Sequence, residues 1–495
     1  MLVAMTTAST ATGQSGTDAR RIALAVDSLA RRVVAAGLTP AFGVAVVMRG
    51  ATVHLASHGQ SDVTRGIAAD SNTLWYLAST SKSLTGFGTA LLAHQGVLAF
   101  STPITELLPG VSWPNGVRAD ELTLAHFLSH THHLNDNAVV LSAAFTGAIP
   151  EARWPELISQ ATPTGNTDLV YSNFGYNVAA MVIDAKRPEG WRRFLETTVY
   201  QPAGMRETYA RVSGLDRRRF AMPHDFEASG RFRTVPFVKT DATMNSAGGH
   251  LATLGDLARW ITVQMDSGRL DRRQVFPAAA VALGQRQLAP QTRDQAKRFA
   301  WFQRDGWSAG WDIGSYEGEP MVSRFGSYHS TRSHISFLPG RRVGVVAMTN
   351  GDPGSAATDV VAAFVYDLVA GRAQAHARAE ARLDELRERL ARGRAQQAAF
   401  DSTRASRQRP LDRPLDRLTG AFTNPYRGTI TFAMRDGALT YAWGVLSGPV
   451  EVYDAARHQM RIEFAGNGQV VAFGFDPDGQ ASDVTLAGIR FARTR

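Results

Sequence analysis

The run LASTSKSLTG, residues 77–86, holds three serines and a lysine within positions 79–83. Hydroxyl residues clustered this way commonly cap a helix or make a turn. The continuation FGTALLAHQG, 87–96, spaces its apolar residues as a helix does and stops at Gly96, so a helix opens within the run. On that helix Ser79 and Lys82 stand i and i+3, one turn apart on one face, whereas Ser81 and Ser83 flank the lysine and point elsewhere. Only Ser79 can present its hydroxyl to the amine. A serine hydroxyl is a weak nucleophile that needs a base, and a lysine serves when burial or a nearby cation lowers its pKa. The unpaired N–H groups of a helix start can receive an oxyanion. Standing alone, Ser-x-x-Lys is a weak motif that also fits an N-cap serine with a solvated lysine.

The wider block DSNTLWYLASTSKSLTGFGTALLAHQGVLAFSTPITELLPG, 70–110, resembles the first block of class C β-lactamases and related penicillin-recognising serine hydrolases. That family follows Ser-x-x-Lys with Tyr-x-Asn, and DLVYSNFGYNVAAMVID, 168–184, supplies Tyr171-Ser172-Asn173. The resemblance implies that Ser79 is the nucleophile, that Lys82 and Tyr171 move its proton, and that Asn173 holds a substrate carbonyl or amide. A phenol titrates near about pH 10. Beside one or two cations its phenolate becomes accessible, so Tyr171 is expected to take the Ser79 proton and pass it to the leaving group.

The family's third element is Lys-Thr-Gly, or a His-x-Gly variant, on an edge strand beside the site. The matching place here is SRFGSYHSTRSHISFLPGRRVGVVAMTN, 323–350, and counting back from SHISFLPG puts Arg324-Phe325-Gly326 at the motif. Arginine keeps the positive charge and adds a bidentate fork for a carboxylate, but it is a poor proton carrier. Gly326 is expected to let the backbone approach the ligand. By the resemblance, the N–H of Ser327 joins that of Ser79 in an oxyanion hole. The missing lysine and threonine argue mildly against efficient β-lactam turnover.

A second departure lies in LTLAHFLSHTHHLNDN, 122–137, where the family usually has His-Thr-Ser-Gly-Leu and this chain has His130-Thr131-His132-His133-Leu134. With His126 and Asp136 the loop looks like a metal cluster, yet the ligand spacing of one is not completed. His132 and His133 are expected to reshape the loop or line the pocket mouth, and neither metal nor cofactor is expected. GWSAG, 306–310, matches Gly-x-Ser-x-Gly, but a nucleophile elbow needs a helix after the serine. The residues past Ser308, AGWDIGSYEGEP, 309–320, read as strand and turn, so Ser308 is taken as structural.

Around these motifs, TDARRIALAVDSLARRVVA, 17–35, has helical periodicity, and AFGVAVVMRGATVHLASHG, 41–59, reads as two strands joined at Arg49-Gly50. A helical middle comes next, then the strand-like SAGWDIGSYEG, SHISFLPG and RRVGVVAMTNGD, then the closing helix AATDVVAAFVYDLVAG. That order gives an α+β fold, an antiparallel sheet flanked by helices plus an inserted helical lobe, as the β-lactamase/DD-peptidase resemblance implies for residues 18–372. Residues 373–415 read as a linker. Its first part is a solvated, ion-paired helix with Leu383, Leu386 and Leu390 at helical spacing, and its second part is rich in proline and arginine. Short alternating strands with Asp-Gly and Asn-Gly turns make 416–495 a small all-β barrel or sandwich, and LTGAFTNPYRGTITFAMRDGALTY, 418–441, resembles the opening of the lipocalin-like domain often appended to such hydrolases, which implies a barrel.

The 495 residues include no cysteine, which excludes disulfides, thiolate metal sites and thiol nucleophiles. Of the net charge of +9, residues 371–420 carry +5, twelve arginines against seven acids. The excess therefore sits in the linker and no nucleic-acid partner is expected. No apolar run is long enough to cross a membrane. The N-terminus MLVAMTTASTATGQSG lacks a basic n-region, so the chain reads as cytoplasmic as it stands and periplasmic if a longer leader has been trimmed. The expected activity is hydrolysis of amide or ester bonds through an acyl-enzyme, on small or peptide-like substrates including D-amino-acid peptides. Acyl transfer, peptide cyclisation or thioesterase activity is the alternative, and an acylation-trapped sensor that does not turn over is a third class. The oligomeric state is left open.

Overall fold

The computed structural model describes residues 8–135, 137–165, 168–291, 301–352, 354–407, 411–464 and 467–494. The leader reading of residues 1–7 and the linker at 408–410 lie outside them. In chain order the main helices are α1 (Ala8–Ala35), α2 (Ser81–His94), α3 (Phe174–Lys186), α4 (Leu254–Met265), α5 (Ala357–Val369) and α6 (Ala375–Ala405). The strands of the main sheet are β1 (Ala41–Met48), β2 (Ala51–Asp62), β3 (Ile67–Ala68), β4 (Ala289–Pro290), β5 (Gln303–Trp307), β6 (Asp312–Tyr316), β7 (Glu319–Tyr328), β8 (Thr331–Leu338) and β9 (Val343–Thr349).

They form one antiparallel sheet in the order β4-β5-β6-β7-β8-β9-β1-β2-β3. The hairpin expected at Arg49-Gly50 is there, both residues at positive φ (51° and 84°), the geometry a tight two-residue turn requires. Along β1 the side chains alternate. Phe42, Val44 and Val46 enter one core with α1, α5 and α6, while Ala41, Ala45 and Val47 enter the other with α2, α3 and α4. Terminal helices cover one face, and the helical lobe, inserted between β3 and β4, covers the other.

Two expectations need correction. α6 is not a solvated spacer: Leu383, Leu386 and Leu390 are buried in the same core as α5. Each such leucine contributes roughly 1.5–3 kcal/mol. Arg372, Arg378 and Arg382 converge on the fully buried Asp367 at the end of α5. The strand bearing Arg324 is also not an edge strand of the sheet. It lies between β6 and β8, but its pairing with β6 ends at Ser323, whereas that with β8 continues to Tyr328. From Arg324 onward one side of β7 is therefore locally open.

The C-terminal strands, β10 (Gly420–Asn424), β11 (Gly428–Arg435), β12 (Ala438–Trp443), β13 (Leu446–Asp454), β14 (Gln459–Phe464), β15 (Asn467–Phe475), β16 (Ala481–Leu486) and β17 (Ile489–Arg493), close into an eight-stranded barrel. Its interior is packed with side chains, Phe422, Phe432, Tyr441, Trp443, Phe473 and Phe491 among them. The barrel rests on the helical lobe: Val445 N–H donates to the Thr146 carbonyl (2.7 Å), and Phe464 packs on Phe145 at 5.4 Å between ring centroids. No helix among the described residues is long and apolar enough to cross a membrane.

Candidate active site

Ser79 lies in a single 3-10 turn, Ala78–Thr80, immediately before α2. Ala78 carries a positive φ of 45°, a backbone conformation rarely held without strain by a residue with a Cβ. Neighbours fix the turn: the Ser333 hydroxyl on β8 donates to the Leu77 carbonyl (2.7 Å) and shares a 2.7 Å hydrogen bond with Thr80. Residues Ser81 to Leu92 of α2 are all buried, so the helix is a rigid mount enclosed on every side. Two close approaches set its position. A Cβ on Gly310, whose φ is 95°, would lie 2.2 Å from the Lys82 carbonyl oxygen, and one on Gly326 would lie 2.2 Å from the Leu77 carbonyl and 2.8 Å from Ser79 N. Gly326 was expected to make room for a ligand; the backbone it admits is the Ser79 turn itself.

Lys82 is fully buried. Its Nζ donates to Asn173 Oδ1 (2.6 Å) and to the Ala247 carbonyl (2.7 Å), and lies 3.2 Å from Ser79 Oγ. Burial pushes its pKa well below the ordinary lysine value, and Arg324 adds to the fall. A neutral amine has two N–H groups and one lone pair. Once the amine is neutral, the two oxygens that can only accept hold its two N–H groups, and its lone pair is left to face the Ser79 hydroxyl. Asn173, expected to hold substrate, thus spends its carbonyl oxygen on the lysine. Ala247 was not foreseen. It belongs to the turn NSAGG, 245–249, and nothing in the sequence marks a backbone carbonyl as a partner.

Tyr171 sits in the irregular segment before α3, and its hydroxyl donates to Ser79 Oγ at 2.6 Å. Burial pushes the phenol above its usual value, while Arg324 and the contact with Ser79 pull against that rise. The shift of the phenol runs against the expected phenolate, and that of the lysine runs toward the neutral amine.

Arg324 differs most from expectation. Only 4% exposed, it donates from Nε to the Ser79 carbonyl (3.0 Å), from Nη1 to Asp312 (3.1 Å) and from Nη2 to the Tyr171 hydroxyl (3.0 Å). Its fork is taken up by the protein, so it is no free carboxylate clamp. Asp312, fully buried, also accepts from Gln291 (2.7 Å) and pairs with Arg304 (3.1 Å). The alternation of β7 explains the placement. Val322 faces the core beneath the helical lobe and Phe325 the opposite one, so Arg324 and Gly326 point toward the Ser79 side.

A cavity of about 270 Å³ opens at Ser79, and Tyr171, Leu169, Trp307, Arg304, Arg332 and the exposed Ser327 are among the residues that line it. His132 and His133 are not. His132 is buried, stacked on Phe127 at 5.0 Å, with Nδ1 accepting from Leu134 N–H, and burial with its histidine neighbours pushes its pKa down to about 3. His133 is half-buried at a positive φ of 55°. His126 caps its own short helix, and Asp136 lies outside the described residues. Ser308 is fully buried and bonds to the Trp311 carbonyl (3.2 Å). A Ser-His-Asp line also exists on the other face, where His334 Nε2 lies 2.6 Å from Ser336 Oγ and Nδ1 2.9 Å from Asp359. Ser336 and His334 are fully buried, so no substrate reaches them.

Comparison with known proteins agrees with this architecture. The family model described as Beta-lactamase matches residues 26–370. A penicillin-binding protein 4 of Amycolatopsis lactamdurans is 24% identical over 319 residues, 63% of this chain and 81% of that protein. An unguisins hydrolase of Aspergillus violaceofuscus is 22% identical over 340 residues, 63% of this chain and 58% of that one. Among solved structures, the octameric penicillin-binding protein homologue from Pyrococcus abyssi superposes with a TM-score of 0.58 at 16% identity, covering 94% of this chain and 99% of that one. The D-amino acid amidase from Ochrobactrum anthropi SV3 gives 0.58 at 18% identity, covering 71% and 99%.

Proposed function

Since the chain belongs to the Beta-lactamase family, we propose that it is a serine hydrolase that cleaves an amide or ester bond of a small peptide-like substrate through an acyl-enzyme on Ser79. The observation that carries this reading is the threefold environment of Lys82 Nζ, with two oxygens accepting its N–H groups and Ser79 Oγ at 3.2 Å. Ser79 Oγ attacks the substrate carbonyl carbon, and its proton passes to the Lys82 lone pair. The carbonyl oxygen takes the electron pair and is held by the N–H groups of Ser79 and Ser327, each such donor being worth about 3 kcal/mol. As the tetrahedral species collapses, the leaving nitrogen or oxygen takes the Tyr171 hydroxyl proton, and the proton held by Lys82 restores it. Arg324 stabilises the phenolate that forms in passing. Water then repeats the cycle on the acyl group.

The substrate class is drawn from the cavity and from the relatives. Leu169 and Trp307 give an apolar wall, while the cations that border it, Arg304 and Arg332, are paired with Asp312 and Asp359, which favours an apolar group beside the scissile bond. A relative named as an unguisins hydrolase and a neighbour named as a D-amino acid amidase support hydrolysis, the latter of an amide bond. The test is a panel of D- and L-aminoacyl amides and esters with Ser79→Ala beside the wild type. Removing a nucleophile that acts with its base should lower kcat by about 10³-fold or more, and unchanged turnover would sink the reading.

A further inference from the structure

The segment that carries Tyr171 has no regular secondary structure, so its hydroxyl must be held at Ser79 by something other than a helix or a ladder. His130 does this from three directions. Its carbonyl accepts the Val170 N–H (3.1 Å), its ring Nδ1 accepts the Ser172 N–H (3.2 Å), and its ring packs on the Tyr171 ring at 4.6 Å between centroids. One residue thus grips the backbone on both sides of the tyrosine and one face of its ring. The left-handed backbone of His130, φ 63°, turns its carbonyl and its ring toward the same short segment. The ring is in turn boxed by Trp307 at 4.3 Å and Tyr176 at 5.6 Å. Both of these donate to the Leu128 carbonyl, at 2.8 and 2.9 Å.

The grip requires one tautomer. Because Nδ1 accepts an amide hydrogen, the ring proton sits on Nε2 and the imidazole is neutral. Burial, with Lys82 and Arg324 nearby, pushes its pKa well below the ordinary histidine value, so the grip persists at ordinary pH.

We infer that His130 is a positioning residue that sets the Tyr171 hydroxyl against Ser79 Oγ. The inference rests on the reading of Ser79 and Tyr171 as the reacting pair. It is tested with three variants, measuring kcat and KM for a nitrophenyl ester, the rate of Ser79 modification by a fluorophosphonate, and thermal unfolding. His130→Phe and His130→Gly both remove the Nδ1 acceptor, and the glycine does so without backbone strain. His130→Asn keeps a side-chain oxygen as acceptor and tolerates the left-handed conformation. Misplacing a catalytic group by about 1 Å typically costs about 100-fold. The first two variants should therefore lose about 10- to 100-fold in kcat and in labelling rate with KM little changed, and His130→Asn should recover most of the loss. In a Tyr171→Phe background the His130→Phe loss should vanish, because the residue acts only through the phenol. A folded His130→Phe or His130→Gly protein that labels at the wild-type rate overturns the inference, as does an undiminished loss in the Tyr171→Phe background. If neither of these variants folds, a stable His130→Asn protein with kcat down about tenfold or more overturns it. Turnover that survives Ser79→Ala would instead strike the underlying reading, not the grip.

Discussion

In the proposed mechanism Lys82 and Arg324 divide two tasks, proton transfer and fixed positive charge. Burial and the Arg324 charge both lower the Lys82 pKa, which suits Lys82 to the role of base proposed for it. This fixes the sign of the pH dependence. The base acts when neutral, so kcat/KM rises with pH through the lowered lysine pKa and then levels. Replacing the cation, Arg324→Gln, removes one of the two causes of the lowering, so the acidic limb should move to higher pH, toward the ordinary lysine value of about 10.4. A pH profile whose limb stays fixed or moves down in this variant would contradict the assignment. That Ser79, Lys82 and Tyr171 come together was legible, because covalent spacing sets a serine one helical turn from a lysine and the family motif names the tyrosine. The sequence did not reveal Asp312 as the partner of Arg324. That contact depends on the register that pairs Asp312 with Ser323 across β6 and β7, which one chain's residue order does not encode.

Among the elements, α2 and β7 meet at the Ser79 turn with no space between them. Gly326→Ala would place a methyl group 2.2 Å from the Leu77 carbonyl oxygen, backbone against backbone, so β7 or the turn must shift. Since displaced groups lose about 100-fold per ångström, the variant should keep a cooperative unfolding transition while losing at least that in kcat. Wild-type kcat would show that the contact does not set the geometry. The hairpin at Arg49-Gly50, α2 and the strands after residue 310 were legible because period and turn chemistry agree there. The burial of α6 was not, because its many charges mask a three-leucine stripe, and amphipathic burial cannot be told from solvation until a partner surface is known. The openness of β7 past Ser323 was hidden for a related reason, since strand neighbours end where the fold ends them.

For the molecule as a whole, sheet and lobe meet around Lys239, and Phe145 beside it packs on Phe464 of the barrel. The amine is buried, it donates to the Ala144 carbonyl, and its Nζ lies 4.0 Å from the centre of the Tyr328 ring, with Phe145 and Tyr76 farther out. Burial pushes its pKa down to about 7, against about 10.4 in the unfolded chain. Between those values the unfolded chain binds more protons, so stability rises with pH across that window and the cost is full below about pH 7. Lys239→Met should therefore raise the unfolding temperature at pH 6.5, with the gain shrinking toward pH 9.5. Equal or lower values at pH 6.5 would show that the rings and the carbonyl outweigh desolvation. The barrel itself was legible from its alternating strands and the lipocalin-like resemblance, but its filled interior was not, since inward-facing aromatics read the same whether they line a cavity or fill one. The most direct test of the proposed acyl-enzyme is to incubate the protein with a nitrophenyl ester, quench it, and map any acyl group by intact-mass and peptide mass spectrometry. A single acyl adduct on the peptide containing Ser79, absent from Ser79→Ala, is the predicted result. An adduct on Ser308 or elsewhere, or undiminished turnover without Ser79, would contradict it.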